Sequence, residues 1–185
     1  MLAGSGYGTI PLFWLVVHPF IGGWRRRGRR AYAVIMPLWA LFIAAAFAAM
    51  WPWHSVHLWE TRVTWVPAAC LIAIGSSFYH AAFQGFDRSQ ISGLAELEPG
   101  QHRQELVTGG IRDHVRHPIY LGHLCELTGW CLGTGLAPLS CMLLFAVVTG
   151  AVMIRIEDRE LEARFGDDYR AYRARVPAVI PRWRS

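Results

Sequence analysis

Residues 31–53 read AYAVIMPLWALFIAAAFAAMWPW, a stretch without a single charge. A helix needs about 20 apolar residues to cross the hydrocarbon layer of a bilayer. Lipid offers no partners to backbone amides, and nothing here alternates as a barrel strand must, so the stretch predicts a transmembrane helix. Working outward, residues 7–24 and 64–83 are charge-free runs that read the same way. Two shorter apolar runs, residues 119–135 and 137–154, are joined by a turn-like stretch at Gly133, Gly135 and Pro138 and predict a tight helical hairpin. The expected fold class is all-α: a polytopic membrane bundle of about five transmembrane helices, with that C-terminal hairpin and an amphipathic cytoplasmic tail helix.

Composition agrees. Of the 185 residues, 54% are apolar and 17% charged, against about 45–50% and about 25% in a soluble domain. That excludes disorder and exceeds what a soluble core of this size requires. All 18 basic residues are arginine and the net charge is +5; the bias is read as one of codon use or lineage. Cys70, Cys125, Cys131 and Cys141 lie in apolar runs without CxxC spacing or zinc-like histidine intervals, so neither a disulfide framework nor a metal site is expected. No positive residue precedes the first run, which is therefore expected to stay in the mature protein. Without repeats or linkers, residues 1–185 read as one membrane domain: three N-terminal spans (1–83), a cytoplasmic loop (84–118), and a hairpin with its tail (119–185) carrying the site.

The arginines orient the chain. Five follow the first run as RRRGRR (residues 25–30), Arg62 alone follows the second, four follow the third, none lie in the hairpin turn and eight follow residue 154. The positive-inside rule then puts the N-terminus outside and the arginine-rich loops and tail in the cytoplasm. Trp51, Trp53, Trp59 and Trp65 fall at the outer interface. The RRRGRR run could instead recognise lipid or nucleic acid, but orientation accounts for it and no basic–aromatic pattern supports nucleic acid. A prokaryotic inner membrane fits a small chain with no targeting segment.

The remaining ionisable groups concentrate in two cytoplasmic segments. Over residues 155–176, Glu157, Leu161, Phe165, Tyr169, Tyr172 and Val176 recur at helical spacing. Glu157 thus heads an inward stripe just where the last span ends, while Asp158, Glu160 and Glu162 lie mostly off it. The second segment is GGIRDHVRHPIYLGHLCE, residues 109–126. Pro118 suits the first turn of a helix, with His117 just before it. His117 and Tyr120 share a face of that helix, and His123 and Glu126 share another. An acid inside a span is costly, so Glu126 either has a functional role or forms a pair with His123 that holds helices together. Taken singly, Arg116 is compatible with an interface anchor and His117 with a helix cap. Together with Tyr120 and Glu157 they predict one site, half polar and half facing lipid, where a soluble charged cofactor and a lipophilic acceptor meet.

LVTGGIRDHVRHPIY (residues 106–120) and IEDRELEARFGDDYRAYRARVPAVIP (residues 156–181) resemble the isoprenylcysteine carboxyl methyltransferase family and its relatives among phospholipid N-methyltransferases. The shared pattern is a Leu-Val-Thr-x-Gly lead, an Arg-His-Pro-x-Tyr box, an acidic pair, Phe-Gly-x-x-Tyr-x-x-Tyr and a late Val-Pro. It covers roughly the last 80 residues. The resemblance implies a membrane methyltransferase that binds S-adenosylmethionine at the cytosolic end of the last hairpin and O-methylates a carboxylate on a lipophilic acceptor arriving through the bilayer. No GxGxxG follows a strand-like run, consistent with the lack of a Rossmann domain in that family. It further implies cofactor contacts from Gln104, Glu105, Leu106, Val107, His117, Pro118, Ile119, Tyr120 and Glu157. Arg112 or Arg116 would hold an anionic group of cofactor or acceptor, and Arg116 and Glu157 are the implied catalytic pair. No metal is required. Two departures bear on the acceptor: prenylcysteine enzymes carry tyrosine where this chain has Arg112, and arginine where it has Met153. Arg155 lies about 200° round the helix from Met153 and is a poor substitute. Two rival readings keep the same residues: a sterol-type reductase with a nicotinamide cofactor, and a non-catalytic accessory membrane protein.

Overall fold

The computed structural model describes residues 9–102 and 105–181. Among these, no strand forms. The helices in chain order are α1 (Ile10–Val17), α2 (Ile21–Arg25), α3 (Tyr32–Met50), α4 (Trp65–Phe83), α5 (Arg88–Ile91), α6 (Leu94–Leu97), α7 (Pro118–Thr134), α8 (Ala137–Phe165) and α9 (Asp167–Arg175). The fold is all-α, as expected.

Among the described residues, three helical stretches are long and apolar enough to cross a membrane: Gly28–Trp53, Trp65–Phe83 and Ala137–Phe165. Their outer faces are apolar and bare, with Leu41 67%, Val66 70% and Leu144 67% exposed. This is the pattern of helices solvated by lipid tails, and the chain is a membrane protein. The other two expected spans depart from that standard. The first is not one helix: at His18–Phe20 the ladder tightens to a 3-10 turn before α2 resumes. Pro19 lacks the amide that would continue the α ladder, Gly22 and Gly23 follow with poor helix propensity, and the His18 side chain is drawn to Glu160. The fourth is a helix of 17 residues, made more polar by His123 and Glu126.

The hairpin turn is where expected. Gly135 ends α7 at φ +64°, and a Cβ there would stand 2.1 Å from the Trp59 carbonyl oxygen. The loop after α3 docks on this turn: Leu58 N–H donates to Gly135 O at 2.7 Å, and Ala137 N–H to Val56 O at 2.9 Å. The two arginine-poor connections therefore share one end of the bundle.

α7 packs most extensively on α4, its antiparallel partner, rather than on α8. Small residues permit the approach: a Cβ on Gly122 would lie 2.9 Å from Gly75 O, and one on Gly129 would lie 2.8 Å from Ala68 O. Backbone atoms cannot yield as side-chain ends can. Gly129→Ala is accordingly expected to force the helices apart at a cost of about 1–3 kcal/mol, read as a lower melting temperature in detergent. The buried polar groups bridge the same interface. Ser76 Oγ donates to Glu126 Oε1 at 2.8 Å, and Tyr79 Oη meets His123 Nδ1 at 3.1 Å. Of the two sequence readings of Glu126, the helix-holding one matches this geometry, with Ser76 as the partner.

At the other end, Val17, Ala31, Ile35 and Leu97 form a core with Trp14, Trp24 and Tyr32 around it. This fixes α1 and α2 to the segment holding α5 and α6. The tail also departs from expectation. The single helix expected over 155–176 is interrupted at Gly166, whose φ +57° and ψ −127° suit only glycine. The interruption tilts α9 so that Tyr169, Tyr172 and Val176 pack with Leu161, Phe165 and Leu106. The inward stripe is preserved through the break.

Candidate active site

The start of α7 is held by the tail of the chain. Pro118 occupies the first turn, and His117 is the residue before it, with φ −116° and ψ 64°. The backbone N–H groups of Arg116 and His117 donate to Pro177 O at 2.9 Å and Ala178 O at 3.0 Å. The segment past α9 is thereby pinned across the Arg-His-Pro box.

Beneath it lies an ionic knot. Asp158, 5% exposed, accepts from Arg116 Nη2 at 2.8 Å and from His117 Nε2 at 3.0 Å, and the Tyr169 hydroxyl donates to the same carboxylate. Arg116 also donates through Nη1 to Val176 O at 2.5 Å. The guanidinium expected to face a ligand is thus committed to α8 and the tail. The sequence reading placed Asp158 mostly off the inward face, and the structure corrects this. Adjacent residues on a helix stand about 100° apart, and His117 sits between them: its Nδ1 lies 3.3 Å from Glu157 Oε2.

Burial works against a charged imidazole, but Glu157 and the hydrogen bond to Asp158 overcome it and push the His117 pKa up to about 9. Its ordinary value is about 6.5. A raised pKa means the folded state binds the proton more tightly. The resulting stability is full below pH 6.5 and lost as pH rises through 9. Melting temperature in detergent is expected to fall between pH 7 and 9.5, and His117→Gln should flatten that slope.

Arg112 is buried at the end of α4. Its Nη1 donates to Ala82 O at 2.8 Å, where a helix leaves carbonyls unmatched. The guanidinium lies 3.9 Å over the Phe86 ring, and Tyr172 Oη donates to the Arg112 carbonyl at 2.8 Å.

A cleft with about 1270 Å³ of empty space, its open mouth included, runs along these residues. Glu105, Leu106, Val107, Arg112, Arg116, His117, Pro118, Ile119, Tyr120 and Glu157 all line it. Gln104 lies outside the described residues. Residues that the sequence did not assign to the site complete the wall: Trp14, His18, Phe83, Phe86, Glu96 and Arg164. The signal for His18 was present, as an ionisable residue before a proline inside an apolar run. Nothing local marks Glu96. Among the described residues, no group of histidine, cysteine and acidic side chains could hold a metal ion.

The architecture is that of a helical membrane protein with a cleft lined by both ionisable and aromatic side chains. The chain belongs to the phospholipid methyltransferase family, whose family model matches residues 63–168. Methyltransferases of this family use S-adenosylmethionine. Among individual proteins, the chain is 33% identical over 152 residues to methanethiol S-methyltransferase 1 of Bradyrhizobium diazoefficiens, covering 72% of this chain and 49% of the relative. It is 29% identical to the methanethiol S-methyltransferase of Crocosphaera subtropica, over 74% of this chain and 56% of that one. It is 41% identical to the protein-S-isoprenylcysteine O-methyltransferase of Schizosaccharomyces pombe, over 41% of this chain and 33% of the relative. The chain thus spans about half, or less, of the length of the curated relatives it matches. No solved structure matches it.

The residues present suit S-adenosylmethionine, which carries a sulfonium, an ammonium, a carboxylate and an adenine ring. The cleft offers the carboxylate of Glu157, the cations of His117 and Arg112, and the ring faces of Phe83, Phe86 and Trp14. Glu96 Oε2 is sealed from solvent and has no hydrogen-bond partner among the described residues.

Proposed function

We propose that this chain transfers the methyl group of S-adenosylmethionine to a thiol acceptor that reaches the cleft from the bilayer. The observation that carries the reading is the convergence of His117, Glu157 and every other described residue of the expected set on one cleft. S-adenosylmethionine, when bound, supplies an already activated methyl group. The protein's share is alignment and exclusion of water. Glu157 and His117 hold the cofactor's polar groups, Arg112 faces its carboxylate, and Glu105, Leu106, Val107, Ile119 and Tyr120 wall it in. Arg116 serves as a positioning residue that clamps Asp158 and the tail so that His117 keeps its orientation.

Two observations favour a thiol over the carboxylate acceptor expected from the resemblance. A carboxylate would need a cation of its own, yet Met153 is fully buried at the position expected to supply one, and Arg116 is already engaged. The relatives aligned over most of this chain are named for methanethiol. O-methylation of a carboxylate is the second reading, supported by the higher identity over the shorter stretch. In this proposal α1 with α2, and α7, complete five crossings, the N-terminus lies outside and the cleft opens to the cytoplasm. The test is calorimetric titration of the detergent-purified protein with S-adenosylmethionine, followed by methyl-label transfer to methanethiol and to a prenylcysteine. Absence of S-adenosylmethionine binding overturns the reading, and label on the prenylcysteine alone replaces the thiol with a carboxylate.

A further inference from the structure

A second cluster of ionisable groups borders the cleft without contributing to the knot around Asp158. The His18 ring, 6% exposed, hydrogen-bonds Glu160 through Nδ1 and presents Nε2 at 3.8 Å to Glu96 Oε2. Glu160 is itself held by Arg164 Nη2 at 2.6 Å and by Arg25 Nη2 at 3.6 Å. Arg25 also fastens the backbone beside the acid, its Nε donating to Glu96 O at 2.9 Å. Glu96 therefore sits on a braced backbone, with a carboxylate oxygen sealed from bulk solvent, lining the same cleft as Trp14 and Phe83.

An acid that only stabilised the fold would be expected to complete its hydrogen bonds. Here the sequence Glu160, His18, Glu96 ends in an acid that lines the cleft, its buried Oε2 turned toward the imidazole. Glu160 orients the imidazole, and the imidazole steadies the charge of Glu96, a division of labour in which one group takes a proton and another holds it in place. We propose, resting on the methyltransferase reading above, that Glu96 is the base that takes the proton of the thiol acceptor. The S–H proton passes to the Glu96 carboxylate. The sulfur lone pair so freed forms the new S–CH₃ bond, while the bond from that methyl to the sulfonium sulfur breaks and leaves its electron pair there. One thiol becomes a methyl thioether, the sulfonium becomes a neutral thioether, and the proton is later released to water.

Burial raises the Glu96 pKa; His18 opposes this, Glu160 and Glu157 add to it, and the result is about 6. Arg164 also faces the carboxyl and lowers it, and the Tyr32 hydroxyl lies near enough to sense it. A carboxylate near neutrality is a better proton acceptor than an ordinary one while remaining charged at pH 7.

The test uses the full chain in detergent with labelled S-adenosylmethionine and methanethiol. Glu96→Gln, nearly isosteric, is expected to lower kcat by roughly 10²–10⁴-fold and to leave the calorimetric affinity for S-adenosylmethionine unchanged. The wild-type rate should fall as pH drops below about 6, and that acid limb should be absent from the variant. Glu96→Asp should recover part of the rate. His18→Asn, which removes the group opposing the rise, should move the acid limb to higher pH. A Glu96→Gln protein with wild-type kcat and the same limb, or an unmoved limb in His18→Asn, overturns the assignment. Failure of the wild type to bind S-adenosylmethionine would instead bring down the methyltransferase reading, and this one with it.

Discussion

Replacing Asp158 with alanine is expected to destabilise the protein by about 3–5 kcal/mol, the usual cost of breaking a buried ion pair from one side. Arg116 and His117 would each lose a carboxylate oxygen, at 2.8 and 3.0 Å, and the Tyr169 hydroxyl would lose its acceptor. All of this happens where little water can replace it, since the side chains of Arg116 and Asp158 are each 8% exposed. Because Arg116 also holds Val176 O, the loosened guanidinium should release the segment that covers the Arg-His-Pro box. The measurement is thermal unfolding in detergent, together with proteolysis of the tail beyond α9. A variant that melts with the wild type would show that the knot contributes nothing.

Glu157→Gln should behave in the opposite way. Its side chain is 24% exposed and meets the knot through His117 Nδ1 at 3.3 Å, so folding has less to lose. Binding has more, because a carboxylate aimed at a cationic ligand forms charge-assisted hydrogen bonds worth about 1.5–3 kcal/mol. At 1.4 kcal/mol per factor of ten, the affinity for S-adenosylmethionine is expected to drop by roughly 10–100-fold. Titration calorimetry reads the affinity and a melting curve reads the fold. An unchanged Kd would remove Glu157 from the cofactor site. Two neighbouring acids are thus predicted to separate cleanly, one through stability and the other through binding.

The same pair shows how far sequence reasoning reaches. A stripe of residues at spacings of three and four picks out one face of a helix, and it found Glu157. It could not find Asp158, because a cleft that wraps around a helix accepts side chains from more than one face. His117 bridges the two acids only because the tail hydrogen-bonds the box and fixes the ring between them. Likewise, Arg116 lines the cleft, but its partners on the tail and on α8 lie 42 to 60 positions away and leave no periodicity to read.

What the amino-acid order settled by itself was local or compositional: an all-α membrane chain, the long spans, the start of α7 at Pro118, the turn at Gly135, and the residues of the motif that line the cleft. These follow from bilayer thickness, from the missing amide of proline and from the freedom of glycine, which neighbours in sequence suffice to express. Tertiary structure alone decided that the His18 imidazole meets Glu160, that α7 lies on α4 through facing glycines, and that Glu96 joins the cleft wall. Each of these depends on which surfaces remain to be covered once the helices have formed, and on charges that find one another only across the assembled bundle.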